Sequence, residues 1–390
     1  MVRRLLAASG AALLLLLGAA HLAADDLGPV AFPTAHAVPV AAEAAEPRRE
    51  PISVVLIPAV PSAASALDEA ITRLGERFRG DVGIAVRDVQ TGWTSHHRGL
   101  DYFPQQSVSK LWVALSLLDQ VDRGRLDLTR EITVRSEDLT LFHQPIRTLA
   151  QRPGGFRTTF DDLLARALTQ SDNSANDRLL TQVGGPDSVR ATLTRKGISM
   201  VRFGPGERFL QSDIAGLEWR PEYRIGTRFA DARAALPDTV RQTAFDAYIA
   251  DPIDGATPIG IVDALARLKQ GRLLSPDATD HMLAVMARTR TGAQRLKGGL
   301  RDGWTLSHKT GTGQIFAGEQ AGYNDVGILS SPEGRHYAVA VLIGKTSRPL
   351  RERMKLMQRV VEATIDYDGR LARQRAAVAE PAQEPGRLAQ

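Results

Sequence analysis

The chain has 390 residues, 43% of them hydrophobic and 24% charged, with a formal net charge of +5. That is ordinary globular composition, long enough for one large core or two lobes. With no cysteine it can build neither a disulfide framework nor a thiolate metal site. Its arginines are scattered rather than interleaved with aromatics, which speaks against a nucleic-acid groove.

Residues 1–24, MVRRLLAASGAALLLLLGAAHLAA, read as a signal peptide: two arginines, an apolar run, then small residues. Export to the periplasm or medium follows. The run is short for a spanning helix, and the membrane is a partner only if the leader stays uncleaved. Residues 25–62, rich in Ala and Pro, read as a linker, and 370–390 as a disordered tail. Between them, 63–369 reads as one domain. Leu67, Ile71, Leu74 and Phe78 mark one face of an opening helix. DVGIAVRDVQTGWTSHHRG reads as strand, turn at 90–92, and strand. A helical region follows from about 107 to 288. Strands return at TLSHKTGTG, NDVGILSS and HYAVAVLIGK, before a last helix with Met354, Met357, Val361 and Ile365 on one face. The first and last elements can share one antiparallel sheet flanked by the terminal helices. The expected class is α/β in the α+β two-lobe sense, with the helical middle as the second lobe and the site in the cleft between them.

Three short stretches carry chemistry. In FPQQSVSKLWVALSLL, Ser107 and Lys110 are three apart at a helix start, so they share a face. A lysine there helps deprotonate a serine nucleophile, and the helix N-terminal amides can hold an oxyanion. TQSDNSANDRLL holds Ser171, Asp172 and Asn173, which read equally well as a helix cap. GWTLSHKTGTGQ places Lys309, Thr310, Gly311 and Thr312 on an extended segment, where small residues leave room for a ligand at the strand edge. Lysine is scarce in this chain, yet one falls in each of two of these stretches.

In that order, Ser-x-x-Lys, Ser-Asp-Asn and Lys-Thr-Gly form the signature of penicillin-recognising serine enzymes. Over about 63–369 the chain resembles class A serine β-lactamases, in FPQQSVSK, in SDNSANDRLLTQVGGP and in TGAQRLKGGLRDGWTLSHKTGTG. The resemblance implies Ser107 as acylated nucleophile, with Lys110 assisting proton transfer. It implies Ser171 as proton shuttle to the leaving nitrogen and Asn173 as the group holding the substrate's side-chain amide. Lys309, Thr310, Gly311 and Thr312 would line the carboxylate site, and the Ser107 and Thr312 amides the oxyanion hole. IFAGEQAGYND, where the family often has its carboxylate-binding arginine, has none, so Arg295 in TGAQRL becomes the candidate. Phe142 resembles the aromatic at the cleft entrance.

Deacylation needs a base to activate water. EWRPEY looks like the family's Trp-Glu-Pro-Glu segment, but that register puts Arg220 at the base position, where a guanidinium cannot serve. Counting forward from Ser171 without a gap keeps Gly184, Gly185 and Pro186 in step. It puts Glu207 at the base and Gln211 at the amide that helps hold the water, usually asparagine in the family. The stretch from about 205 to 256 is roughly 30 residues longer than the resemblance predicts, as functional or mobile loops can be. FADARAALPDTVRQTAFDAYIADP within it reads as a short helix pair over the cleft mouth. The family's loop-closing salt bridge needs an arginine where Pro205 stands, which leaves Arg202 or Arg208 to pair with Asp254.

The implied activity is β-lactam hydrolysis by a monomer that needs no cofactor. The eight histidines have no ligand spacing, so no metal is expected. Two other readings fit the same motifs: a D,D-peptidase or transpeptidase of the superfamily, and a β-lactam sensor that stays acylated.

Overall fold

A computed structural model describes residues 62–379. The leader and most of the linker lie outside those residues, as does the end of the tail. Helix α1 (Ala63–Arg77) starts at Ser62, whose hydroxyl accepts from the Ser65 amide, and it buries Leu67 and Ile71. Strands β1 (Val82–Asp88) and β2 (Thr94–His97) follow as an antiparallel hairpin. The chain then enters the helical lobe and returns as β3 (Thr305–Thr312), β4 (Glu319–Ser330) and β5 (His336–Thr346). The sheet order is β2-β1-β5-β4-β3, and every neighbouring pair is antiparallel.

Both faces of this sheet are buried, and the two-residue side-chain period sorts them. Tyr337, Val339, Val341 and Ile343 of β5 join Ile84 and Val86 of β1 in one core, closed by α1 and by the C-terminal helix Leu350–Ala379. Ala338, Ala340 and Leu342 face the other way, with Ala85, Val326 and Ile328, onto the helical lobe. Strands covered on both sides show nearly continuous apolar runs rather than alternation, as β5 does with HYAVAVLIGKT. The C-terminal helix runs on to Ala379. This corrects the expected boundary at 370: the same amphipathic helix continues into the segment read as tail.

Helix α2 (Lys110–Asp122) is the axis of the helical lobe. Its first ten residues are all buried, as expected of a helix apolar on every side. Helix α3 (Asn173–Gln182) packs beside it. The lobe also holds a ribbon unforeseen from sequence, Glu131–Val134 paired with Phe156–Thr159.

The enlarged loop is a packed element. Helix α4 (Glu207–Ile214) opens it, and α5 (Arg228–Ala235) and α6 (Asp238–Ala250) form the expected pair. Phe229 and Tyr223 bury against Leu141 at one end, while Phe245 and Tyr248 bury against Leu210 and Ile214 at the other. Anchored at both ends on apolar clusters, the segment forms one wall of the cleft.

Candidate active site

Ser107 sits in a single 3₁₀ turn (Gln106–Ser109) that runs directly into α2. Lys110, fully buried on the first turn of α2, donates from Nζ to Ser107 Oγ at 2.7 Å and to Asn173 Oδ1 at 2.9 Å, and it is ion-paired with Glu207. One ammonium thus touches the serine, the Ser-Asp-Asn segment and the glutamate. Its three hydrogens match those three acceptors.

Asp172 is the N-cap of α3, its carboxylate accepting from Ala175 N at 3.0 Å and Ile146 N at 2.6 Å. Asp172 thus caps the helix while Ser171 and Asn173 on either side of it line the cleft. Ser171, just before the cap, ends a π-helical turn in the left-handed region at φ 60°. Few non-glycine residues adopt that conformation, and where they do the strain often marks a functional position. Gln106 and Phe142, also beside the cleft, share it at φ 53° and 58°. Ser171 Oγ accepts from Lys309 Nζ at 3.0 Å. Burial, with the nearby Lys110 cation next, lowers the pKa of Lys309 well below that of an ordinary lysine. Asn173 also donates from Nδ2 to Leu141 O at 2.9 Å, which leaves its second amide hydrogen for a ligand.

On the opposite wall, β3 runs close to the nucleophile turn. A Cβ on Gly311 would lie 2.4 Å from Gln105 O, so only glycine allows that approach. Arg295 is buried over the Tyr323 ring at 3.8 Å and donates to Gly311 O, Asn324 O and Thr312 Oγ1. Thr310 Oγ1 lies 2.7 Å from Thr291 Oγ1, a neighbour sequence reading did not single out. Phe142 is 49% exposed at the rim, edge-on to Phe229 of the enlarged loop at 5.4 Å, and so is not a core residue.

Glu207 is 4% exposed and begins α4. Gly206 before it adopts φ 100°, and a Cβ there would meet Leu180 at 2.8 Å. Asp177 of α3 accepts from the Glu207 amide at 2.9 Å and pairs with Arg208 at 3.1 Å, pinning the helix start to the Ser-Asp-Asn helix. Burial raises the pKa of Asp177 despite that arginine. Glu218 is exposed and Glu222 lies in a separate turn, and neither lines the cleft. Gln211 sits one turn beyond Glu207, its Nε2 3.0 Å from Gln106 Oε1 and 3.4 Å from Glu207 Oε2, while its Oε1 accepts from Gln314 Nε2 at 3.0 Å.

The expected partner for Asp254 is corrected. Arg202 pairs with Asp251 at 2.5 Å and stacks on Tyr102, and Arg208 is held by Asp177, so neither arginine reaches Asp254. Its carboxylate accepts instead from Gln106 N at 2.8 Å and from Tyr248 Oη at 3.0 Å. Gln106 Nε2 donates to the same Tyr248 oxygen at 2.7 Å. The loop is therefore closed by a neutral hydroxyl from α6. Burial without a cationic partner pushes Asp254 up to about 7. Gln105 completes the tie, its amide bonded to Trp112 Nε1, Arg202 O and Asp254 O. The signal for this tie was the pair Gln105-Gln106 directly before the serine; nothing in the sequence pointed to Tyr248.

The cleft between these walls encloses about 530 Å³. A serine hydroxyl on a buried lysine, a carboxylate on the same lysine and a cationic far wall are the parts of a centre that forms a serine ester and then hydrolyses it. Among the described residues no group of three or more His, Asp or Glu is placed to hold a metal ion.

Comparison with known proteins agrees with this class. Residues 66–367 match the model of the beta-lactamase enzyme family. The chain is 27% identical to β-lactamase VEB-1 of Pseudomonas aeruginosa over 287 residues, covering 73% of this chain and 85% of that one. It is 29% identical to the extended-spectrum β-lactamase PER-1 of the same organism over 267 residues, 68% and 75% of the two chains. Among solved structures, a β-lactamase from Chitinophaga pinensis superposes with a TM-score of 0.64 at 27% identity, over 78% of this chain and 98% of that one. An ancestral class A β-lactamase gives 0.60 at 28%, over 77% and 99%. The chain belongs to the β-lactamase enzyme family, in its class A branch.

Proposed function

We propose that the protein hydrolyses the amide bond of β-lactam rings through an ester on Ser107, deacylated by water that Glu207 activates. The observation that carries this reading is the single Lys110 ammonium bonded to Ser107 Oγ and paired with buried Glu207. Lys110 first passes a proton to Glu207, and its neutral amine then takes the serine proton as Oγ attacks the ring carbonyl. The surplus proton replaces the one that leaves Lys309, so Glu207 is ionised again for the second half-reaction. The Ser107 and Thr312 amides stabilise the resulting oxyanion. Ring opening needs a proton on nitrogen, and the Lys309–Ser171 pair supplies the route. Weakened proton affinity at Lys309 suits a group that hands protons on. Arg295, Lys309, Thr310, Gly311 and Thr312 form the wall that takes the substrate carboxylate, Asn173 takes the side-chain amide, and Phe142 covers the entrance.

In the second half-reaction Glu207 removes a proton from water, and hydroxide attacks the ester carbonyl and releases Ser107. Gln211 limits where that water sits, since Gln106 and Gln314 hold its side chain. No described helix is long and apolar enough to cross a membrane. The basic, apolar leader supports export, so we read the enzyme as acting in the periplasm or outside the cell.

Incubation with a chromogenic cephalosporin tests the reading. Steady turnover is expected. A stoichiometric burst ending in a stable adduct would instead favour the peptidase or sensor reading, and absence of acylation would remove all three.

A further inference from the structure

Helix α5 of the enlarged loop sends one cation into the cleft. Arg233 is half-buried and lines the same cavity as Ser107, Glu207 and Gln211. It donates from Nη1 to Gln314 Oε1 at 3.1 Å and from Nη2 to Ile315 O at 3.2 Å, both neutral acceptors. Of the other loop arginines, Arg241 pairs with Asp238 at 3.1 Å and Arg208 with Asp177, while Arg220, Arg224 and Arg228 do not line the cleft. Arg233 has no described carboxylate within ion-pairing distance. The acid among the cleft's lining residues, Glu207, is taken by Lys110. Burial and the Arg241 cation both act against its charge. A guanidinium kept partly desolvated beside a substrate cavity, with no anion of its own, is suited to receive one from the ligand.

Its position says which anion. Arg295 already serves the β3 wall, where the ring carboxylate belongs on the proposed reading. Arg233 stands apart from it, by Gln314, Ile315 and Gln211, on the loop side of the cleft. With the ring held at Ser107 and its carboxylate at β3, the acyl side chain is the part left to reach that side.

We propose that Arg233 is a specificity-determining residue that binds a carboxylate on the acyl side chain of the β-lactam, so that the enzyme favours dianionic substrates over monoanionic ones. The proposal rests on the β-lactamase reading above. A carboxylate arriving at Arg233 displaces its contact with the Gln314 amide, replacing a neutral hydrogen bond by a charge-assisted one, which is roughly twice as strong.

The test compares benzylpenicillin with its α-carboxy derivative, which differ by one carboxylate, in wild type and in Arg233→Gln. The readout is the ratio of kcat/KM for the dianion to that for the monoanion. The substitution is expected to lower this ratio about tenfold, equivalent to about 1.4 kcal/mol, with Arg233→Lys between the two. A ratio unchanged in Arg233→Gln overturns the proposal, because a residue acting only through Gln314 on Gln211 would lower both values together. Should the variant fold poorly, wild type alone gives the answer. The ratio should fall as ionic strength approaches 1 M, where the screening length is about 3 Å, and a salt-independent ratio overturns the proposal. Wild type that hydrolyses neither penicillin would instead sink the β-lactamase reading itself, and this proposal with it.

Discussion

Three glutamates crowd one loop, and their surroundings separate them. Glu207 is buried against Lys110 and pinned at its amide by Asp177, whereas Glu218 and Glu222 lie outside the cleft. Glu207→Ala should slow deacylation by 10²–10⁴-fold, the usual worth of a general base, while acylation stays measurable by mass spectrometry. Glu222→Ala should turn over at close to the wild-type rate. If Glu222→Ala accumulates acyl-enzyme and Glu207→Ala does not, the ungapped register is wrong. That register was legible because Gly184, Gly185 and Pro186 kept step with Ser171. The contacts of Gln211 were not legible. Its partners Gln106 and Gln314 lie more than a hundred residues away on either side, and no local period reports such contacts.

At the scale of elements, the enlarged loop departs most from expectation. Its two helices were readable from an Ala/Arg/Asp pattern, but the tie they provide was not, since Tyr248 meets Gln106 across 142 positions. Tyr248→Phe removes a donor to Asp254 and an acceptor for Gln106 in a buried site. The loss should be about 1–3 kcal/mol of stability in urea titration, with slower deacylation, because Gln106 also holds Gln211. Stability equal to wild type would remove the tie from the account. The raised pKa of Asp254 adds a pH dependence whose sign is fixed. Between the ordinary value of 3.8 and about 7 the folded chain holds a proton that the unfolded chain has released. The Asp254 contribution is therefore fully present below that window, falls as pH rises through it, and is flat above. Asp254→Asn cannot titrate, so its stability relative to wild type should rise across the window by on the order of 1 kcal/mol per unit. A difference independent of pH would mean that Asp254 is ionised throughout.

At the scale of the whole molecule, the sheet and the terminal helices were the most legible parts. Long apolar strands and the face of Met354, Met357, Val361 and Ile365 carry their periods openly in the sequence. The Glu131–Val134 ribbon was missed because four-residue strands offer too little alternation to stand out. The end of the last helix was misplaced because its apolar face thins before the helix stops at Ala379. The molecule brings the first and last thirds of the chain into one sheet and sets the helical middle against it. Ser107 and Lys110, Ser171, Glu207 and Lys309 come from four separate stretches, and the Lys110 and Lys309 contacts join them at one cleft.

The central claim is that Ser107 is acylated and that Glu207 then frees it. Intact-protein mass spectrometry during incubation with benzylpenicillin, run side by side on wild type, Ser107→Ala and Glu207→Ala, tests it most directly. The account predicts unmodified wild type with substrate consumed, a persistent adduct mapping to Ser107 in Glu207→Ala, and neither adduct nor turnover in Ser107→Ala. Turnover retained by Ser107→Ala, or wild-type turnover by Glu207→Ala with no adduct, would contradict it.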